Sequence, residues 1–377
     1  MKITVVTGKK PFTAEASGTK SYVEGLIRNL SKKDIDIILI NPEIHENEQK
    51  KYNIEHFQIK IKKATSIGFL AKLMVKTPFL KLPKDTIVHT HRPDFMFPFT
   101  LFSRKNPKVC TLHGIPSLGI KTRKNAIILG IYDILERSAL THIDKLIAVN
   151  QSTKDYFISK YPRLKSKISV IPVGIDLEMF KPKDKNKVRN KYGFAADESI
   201  ILFIGRLSQE KGLDLLLRGF SDLKHELPKA RLILVGEGPE GEKIRKTVED
   251  QNIEGVTLMK PLKHEKIPEI INCADTLALC SLYEGMPTVV LEALACGVPV
   301  VSTDVGDVKK VVKDDITGQL IKDRSPDSIK NAILNVMRDG RESYNDNCIA
   351  VARQYSWEKV SEKIVALYTQ VEKNRHI

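Results

Sequence analysis

The densest run of chemistry-capable residues is Ser281-Leu-Tyr-Glu284-Gly285-Met286-Pro287-Thr288-Val289-Val-Leu-Glu292. A β-branched stretch ends just before it, a glycine-containing turn follows, and Pro287 suits the first position of a helix, where its missing N–H is no loss. The first N–H groups of such a helix have no partner inside it and point outward. With the helix dipole they form a site for a phosphate or for sugar hydroxyls. Glu292 falls in the second turn, and helical side chains lean toward the N-terminus, so it can reach a ligand at that mouth and accept from a ribose. Glu284, in the loop, can accept from sugar hydroxyls. Standing alone, the same pattern also describes two solvated glutamates beside a structural turn.

A second cluster, Gly205-Arg206-Leu-Ser-Gln-Glu-Lys211-Gly212, again closes a strand and opens a helix. Arg206 offers a fork of donors and Lys211 a point charge, a combination that suits a diphosphate. The run Gly236-Glu-Gly238-Pro-Glu-Gly241 is a literal G-x-G-x-x-G after a strand. A dinucleotide site also wants an acid at the end of the next strand. That strand ends Met259-Lys260-Pro261, so the glycines are expected to form a tight turn bordering a nucleotide.

In the first half, Glu15-Ala16-Ser17-Gly18-Thr19 opens a helix and can bring backbone close to a phosphate or sugar. Thr111-Leu112-His113-Gly114 places His113 at a strand's carboxyl end, where α/β proteins bind ligands. His89 and His91 end another strand and carry a weaker signal. No metal motif is legible: there is no H-E-x-x-H, no calcium loop, and Asp34-Ile-Asp36 leads into a strand. Leaving-group charge is therefore expected to fall to Arg206, Lys211 and helix amides rather than to a divalent ion.

These loops need parallel sheets to hold them, and the pattern supplies two. Short β-branched runs alternate with amphipathic segments, the signature of doubly wound α/β units. Strands are expected at 3–6, 35–40, 87–89, 108–112, 145–149 and 168–171. The cycle restarts at 200–204, 231–235, 256–259, 276–279 and 299–302. Helices are expected at 19–30 and 127–140, then at 212–224, 241–251, 267–272, 287–295 and 325–337. The domains are expected to span 1–172 and 173–356, with hinging near Pro172–Pro182 and a last helix, from Trp357 to about Lys373, returning to the first.

Composition sets outer limits. The 377 residues exceed what one core usually serves, and 42% apolar with 28% charged residues describe an ordinary globular protein. No apolar run approaches the roughly 18 residues of a membrane span. The opening Met1–Gly8 reads as a buried strand rather than a targeting leader. Five cysteines without C-x-x-C pairing suit a reducing, cytoplasmic compartment. The net charge of +15 lies entirely in residues 1–176, where 30 Lys and Arg face 15 acids; the remainder carries 31 of each. Such asymmetry suggests an anionic partner for the first half, a membrane surface before nucleic acid, or else a solvated lysine-rich surface. The stretch Ile59–Lys84 carries seven lysines and no acid. At its centre Phe69, Leu70, Leu73 and Met74 recur at helical spacing, as in either an interfacial or a core-packed helix.

Together these motifs resemble the family 4 retaining glycosyltransferases over nearly the whole chain. The likeness includes Cys110-Thr-Leu-His113-Gly114, Val170-Ile-Pro-Val-Gly174-Ile-Asp176-Leu-Glu-Met-Phe180, Gly205-Arg206 through Lys211-Gly212, and Glu284 with Glu292. It implies a GT-B fold, two Rossmann-like domains facing across a cleft. It also implies Arg206 and Lys211 on a donor diphosphate and Glu292 on the ribose. Glu284 and the backbone from Gly285 through Met286, Pro287, Thr288 and Val289 would hold the donor sugar, with Gly205 and Gly18 approaching the donor. His113 would face it from the acceptor-side domain, and the nucleotide sugar would be a substrate, with no bound cofactor. Three departures stand out. Only Gly18 stands where paired glycines are usual, Lys260 occupies a position near the base where glycine is common, and Gly306-Asp307 replaces a glycine pair with an exposed carboxylate. A GT-B epimerase acting without an acceptor, or a nucleotide-sugar-binding protein without activity, are the other readings. The lysine motif of a sugar phosphorylase is absent.

Overall fold

The computed structural model describes residues 1–13, 18–61, 65–115 and 126–373. Two compact units emerge: Met1–Gly174 with Trp357–Ile377, and Ile175–Ser356.

The first unit is built on β1 (Lys2–Val6), β2 (Asp36–Asn41), β3 (Ile54–Gln58), β4 (Ile87–Thr90), β5 (Lys108–Leu112), β6 (Lys145–Ala148) and β7 (Ile168–Val170). All pair in parallel, in the order β3-β2-β1-β4-β5-β6-β7. Its helices are α1 (Gly18–Leu30), α2 (Glu46–Lys51), α3 (Ser66–Lys76), α4 (Pro93–Phe102), α5 (Ala126–Thr141) and α6 (Gln151–Lys160). The central strands are buried on both faces, as near-continuous Val and Ile runs require. β3 was not legible as a strand because it lies at the sheet edge and its IEHFQ sequence is half polar.

The second unit carries β8 (Ser199–Ile204), β9 (Ala230–Val235), β10 (Val256–Met259), β11 (Thr276–Leu279), β12 (Val300–Thr303) and β13 (Gly318–Ile321). Their order is β10-β9-β8-β11-β12-β13, also parallel throughout. Its helices are α7 (Lys185–Tyr192), α8 (Leu213–Glu226), α9 (Gly241–Asp250), α10 (Ile267–Cys273), α11 (Thr288–Ala295), α12 (Pro326–Asp339) and α13 (Arg341–Arg353). The edge strand β13 and the polar helix α13 went unread in sequence. α13 is anchored by Arg341, which donates to the carbonyls of Asn272, Ala274, Cys296 and Gly297.

In each sheet the chain runs to one side of its first strand and then returns to the other, so the connections diverge at β1/β4 and at β8/β11. Loops leaving the carboxyl ends of such strands border a natural crevice. The final helix, α14 (Trp357–Lys373), packs on α1 within the first unit. A Cβ on Gly25 or Gly174 would lie 2.0 or 2.4 Å from the Trp357 ring, so both positions need glycine to admit the indole. Tyr368, on the same helix, hydrogen-bonds His89 at 2.6 Å.

The predicted apolar stripe of α3 resolves toward packing. Phe69 and Leu73 are fully buried and join the core around Phe95, Phe99 and Ile40, with Leu70 packed against it. Ile67, Val75 and Phe79 remain exposed. Among the described residues no helix is long and apolar enough to cross a membrane.

Candidate active site

In the second unit the two loops at the β8/β11 divergence interlock. The Leu282 N–H donates to the Glu210 carbonyl at 2.7 Å, and a Cβ on Gly212 (φ +64) would lie 2.4 Å from the Cys280 carbonyl oxygen. Glu284 is thereby brought onto Lys211, with only 14% and 19% of the two side chains exposed. The ammonium and the Ser281 hydroxyl both donate to Oε1 of Glu284. Oε2 has no hydrogen-bond partner among the described residues. Arg206 is exposed at the end of β8. It lies close enough to help depress Glu210: burial opposes, but the Ser208 hydroxyl, a backbone N–H, Lys211 and Arg206 together hold that carboxyl low.

The loop carrying Glu284 is braced from three sides. Thr303 donates to the Ser281 carbonyl at 2.7 Å, Arg324 to the Cys280 carbonyl at 3.3 Å, and the Asp307 N–H to the Gly285 carbonyl at 2.9 Å. Gly306, at φ +57, has no room for a Cβ, which would lie 2.2 Å from the Gly285 carbonyl oxygen. The Asp307 side chain, read from sequence as exposed, is buried instead and pairs with Lys310 at 3.0 Å, since the backbone contact draws it inward.

Pro287 caps α11 rather than beginning it, with Thr288 as the first helical residue, Val289 half-buried and Met286 buried beneath. Glu292 lies one turn after Thr288. Burial pushes its carboxyl up to about 7, against the lowering effect of a hydrogen bond from the Thr288 hydroxyl. The G-x-G-x-x-G glycines serve close approach: a Cβ on Gly236 would lie 1.9 Å from the Gly205 carbonyl oxygen, and one on Gly238 2.2 Å from that of Leu207. They shape the strand end that holds Gly205 and Arg206.

Gly18 and His113 lie in the first unit. Gly18 is exposed as the first residue of α1, with open space around its Cα; Glu15, Ala16 and Ser17 lie outside the described residues. His113 packs edge-on against Tyr22 at 4.7 Å, and its Nε2 meets Nδ1 of His91 at 3.0 Å. His89 stacks on His91 and bonds Thr111 at 2.7 Å. Burial pushes His113 and His89 down to about 3 and His91 well below the ordinary imidazole value, so the cluster is neutral at physiological pH. Sequence reasoning ranked His91 low and passed over Lys9 and Arg92, although all three follow β1 or β4 at the divergence point. Among the described residues no three His, Cys, Asp or Glu side chains are grouped to hold a metal ion, and all five cysteines are free and buried.

Comparison with known proteins bears on both units. Residues 16–179 match the model of Glycosyltransferase Family 4, and residues 184–355 that of Glycosyl transferases group 1. A D-inositol 3-phosphate glycosyltransferase of Mycobacteroides abscessus is 28% identical over 62% of this chain and 53% of its own length. The chain thus spans about half the length of the first curated relatives it matches. An uncharacterized glycosyltransferase of Methanocaldococcus jannaschii is 27% identical over 98% of both chains. Among solved structures, Anabaena HepE in complex with UDP and glucose superposes with a TM-score of 0.77, at 18% identity, covering 98% of this chain and 100% of that one. Two parallel-sheet units of GT-B type, each matched by its own model, place this chain in the group 1, family 4 glycosyltransferases.

Proposed function

We propose that the protein is a retaining glycosyltransferase that moves a hexosyl-type sugar from a nucleoside-diphosphate sugar to a hydroxyl of a small-molecule, sugar or lipid-linked acceptor. The observation that carries this reading is the Lys211–Glu284 pair at the β8/β11 divergence, with Oε2 of Glu284 unengaged among the described residues and Arg206 exposed at the end of β8. Arg206 and Lys211 supply cations for the departing diphosphate, Glu284 accepts from the donor sugar and Glu292 from the ribose. The anomeric C–O bond to the diphosphate breaks while the acceptor oxygen bonds to the same face of that carbon. The acceptor proton passes to a phosphate oxygen, so no side-chain nucleophile is needed. Catalysis then rests on charge stabilisation that grows as the diphosphate departs. The complex of HepE with UDP and glucose supports a nucleotide-sugar donor for this fold. The test is transfer of labelled sugar from UDP-, GDP- and ADP-sugars to a mixed acceptor panel, with product anomeric configuration read by NMR.

On this reading leaving-group charge falls to side chains and helix amides. Turnover is therefore expected to persist in excess EDTA; complete loss restored by Mg²⁺ or Mn²⁺ would assign that role to a metal.

An anionic membrane surface is proposed as a partner of the first unit. Ile67, Val75 and Phe79 stand exposed beside Lys72 and Lys76, and each Lys near an anionic leaflet adds roughly 1 kcal/mol before screening. The protein is expected to co-sediment with anionic but not neutral vesicles, less so in high salt. Binding should weaken when Lys60, Lys72 and Lys76 become Gln. Lys62 and Lys63, from the same run, lie outside the described residues. Indifference to anionic vesicles at low salt would leave a soluble acceptor.

A further inference from the structure

We propose that Tyr283, with Leu282 beside it, is a stacking platform that selects acceptors by the apolar face of a ring, an inference that rests on the transferase reading above. The second unit keeps nearly all of its large apolar side chains out of water. Among its described residues only Leu282, Tyr283 and Ile316 are large, apolar and exposed, at 55%, 63% and 49%. Ile316 precedes β13, at the amino-terminal edge of the sheet. Leu282 and Tyr283 stand at the opposite edge, where β11 ends, and immediately precede Glu284. Two of the three wet apolar side chains therefore adjoin the carboxylate that takes the donor sugar.

The backbone that carries the pair is tied down. The Leu282 N–H donates to the Glu210 carbonyl at 2.7 Å, and the Ser281 and Cys280 carbonyls accept from Thr303 at 2.7 Å and from Arg324 at 3.3 Å. Neighbouring side chains then part. Glu284 turns in onto Lys211 and Ser281. Tyr283 turns out, and among the described residues it makes no hydrogen bond or ring contact. An aromatic ring on a backbone already held in place loses little further freedom when something lies against it. Its flat face is electron-rich, and a pyranose or cyclitol presents a patch of C–H groups between its hydroxyls. The two surfaces match whatever the hydroxyl pattern, whereas an open-chain polyol has no such flat patch. Glu284 and the backbone after it serve the donor sugar in the reading above. The ring on Tyr283 is then the second one, which supplies the attacking hydroxyl, and Leu282 widens the surface it rests on.

The test is saturation-transfer NMR on the full chain, with UDP, GDP or ADP present in turn. Methyl α-glucoside, methyl α-mannoside and myo-inositol are the cyclic probes, and xylitol is the open-chain control. At least one cyclic probe should take up saturation through its ring C–H protons, and xylitol should take up none. Tyr283→Ala should weaken that probe about 5–20-fold, the scale of losing an aromatic face and the area it covers. Tyr283→Phe and Tyr283→Trp should hold it within about twofold, since both keep the face. The position is exposed, so Tyr283→Ala should melt with the wild type. The nucleotide's own signals in the same spectra report on the donor site and should be equal in wild type and Tyr283→Ala. Their absence with all three nucleotides would count against the transferase reading and leave the ring result readable. The proposal is overturned by no uptake in any cyclic probe, by equal uptake in xylitol, or by wild-type affinity in Tyr283→Ala. A loss of nucleotide binding in Tyr283→Ala that matches the probe's overturns it too, since the tyrosine would then serve the donor.

Discussion

Arg206→Ala and Lys211→Ala are each expected to lower kcat by about two to three orders of magnitude, the scale of removing one preorganised group that stabilises developing charge. The two variants should differ in every other respect. Arg206 is exposed at its strand end, so its removal should leave the melting temperature unchanged. Lys211 neutralises the largely buried Glu284, and its loss strands that carboxylate beside Ser281. Lys211→Ala should therefore melt lower as well as turn over slowly, and Lys211→Ala with Glu284→Gln should recover the melting temperature without recovering kcat. Thermal denaturation and single-turnover kinetics on the three proteins check this. Near wild-type turnover in either single variant would remove that residue from the diphosphate site.

Glu292→Gln is expected to weaken nucleotide-sugar binding about 10–100-fold while making the protein more stable at neutral and alkaline pH. Burial raises the folded-state value of this carboxyl to about 7, above that of the unfolded chain. Its contribution to stability is thus full at acid pH and is lost as pH rises through 7, where the half-buried carboxyl must carry its charge. Glutamine escapes that cost, so the variant should melt about 2–4 °C above wild type at pH 8 and match it at pH 5. Donor affinity should run the other way. The ionised form accepts from ribose hydroxyls, so wild-type affinity should fall about tenfold between pH 8 and pH 6 and stay flat in the variant. A flat wild-type profile would mean that the ribose does not use this carboxylate.

The sequence exposed most of the scaffold because buried parallel strands are written as uninterrupted Val and Ile runs, and eleven of the strands were read from them. β3 and β13 escaped because edge strands carry polar residues on their open side. The donor-side loops were legible because glycine, proline and charge recur at strand-to-helix junctions, where backbone groups go unpaired. What could not be read were contacts between segments distant in the chain. The brace of Thr303 and Arg324 on the Glu284 loop, the inward turn of Asp307, and the room that Gly25 and Gly174 leave for Trp357 depend on a register no local pattern encodes. The histidine cluster belongs to the same class: His91 and His113 follow the ends of different strands and meet only because β4 and β5 are neighbours.

A transferase of this kind must bind a nucleotide sugar in the second unit, through the residues at its strand divergence. Calorimetric titration of UDP-, GDP- and ADP-sugars into the wild type, Lys211→Ala and Glu292→Gln, all in EDTA, addresses that claim. One nucleotide series should bind the wild type at a single site, with the free nucleoside diphosphate competing and both variants at least about tenfold weaker. No binding by any series, or equal affinity in all three proteins, would contradict it.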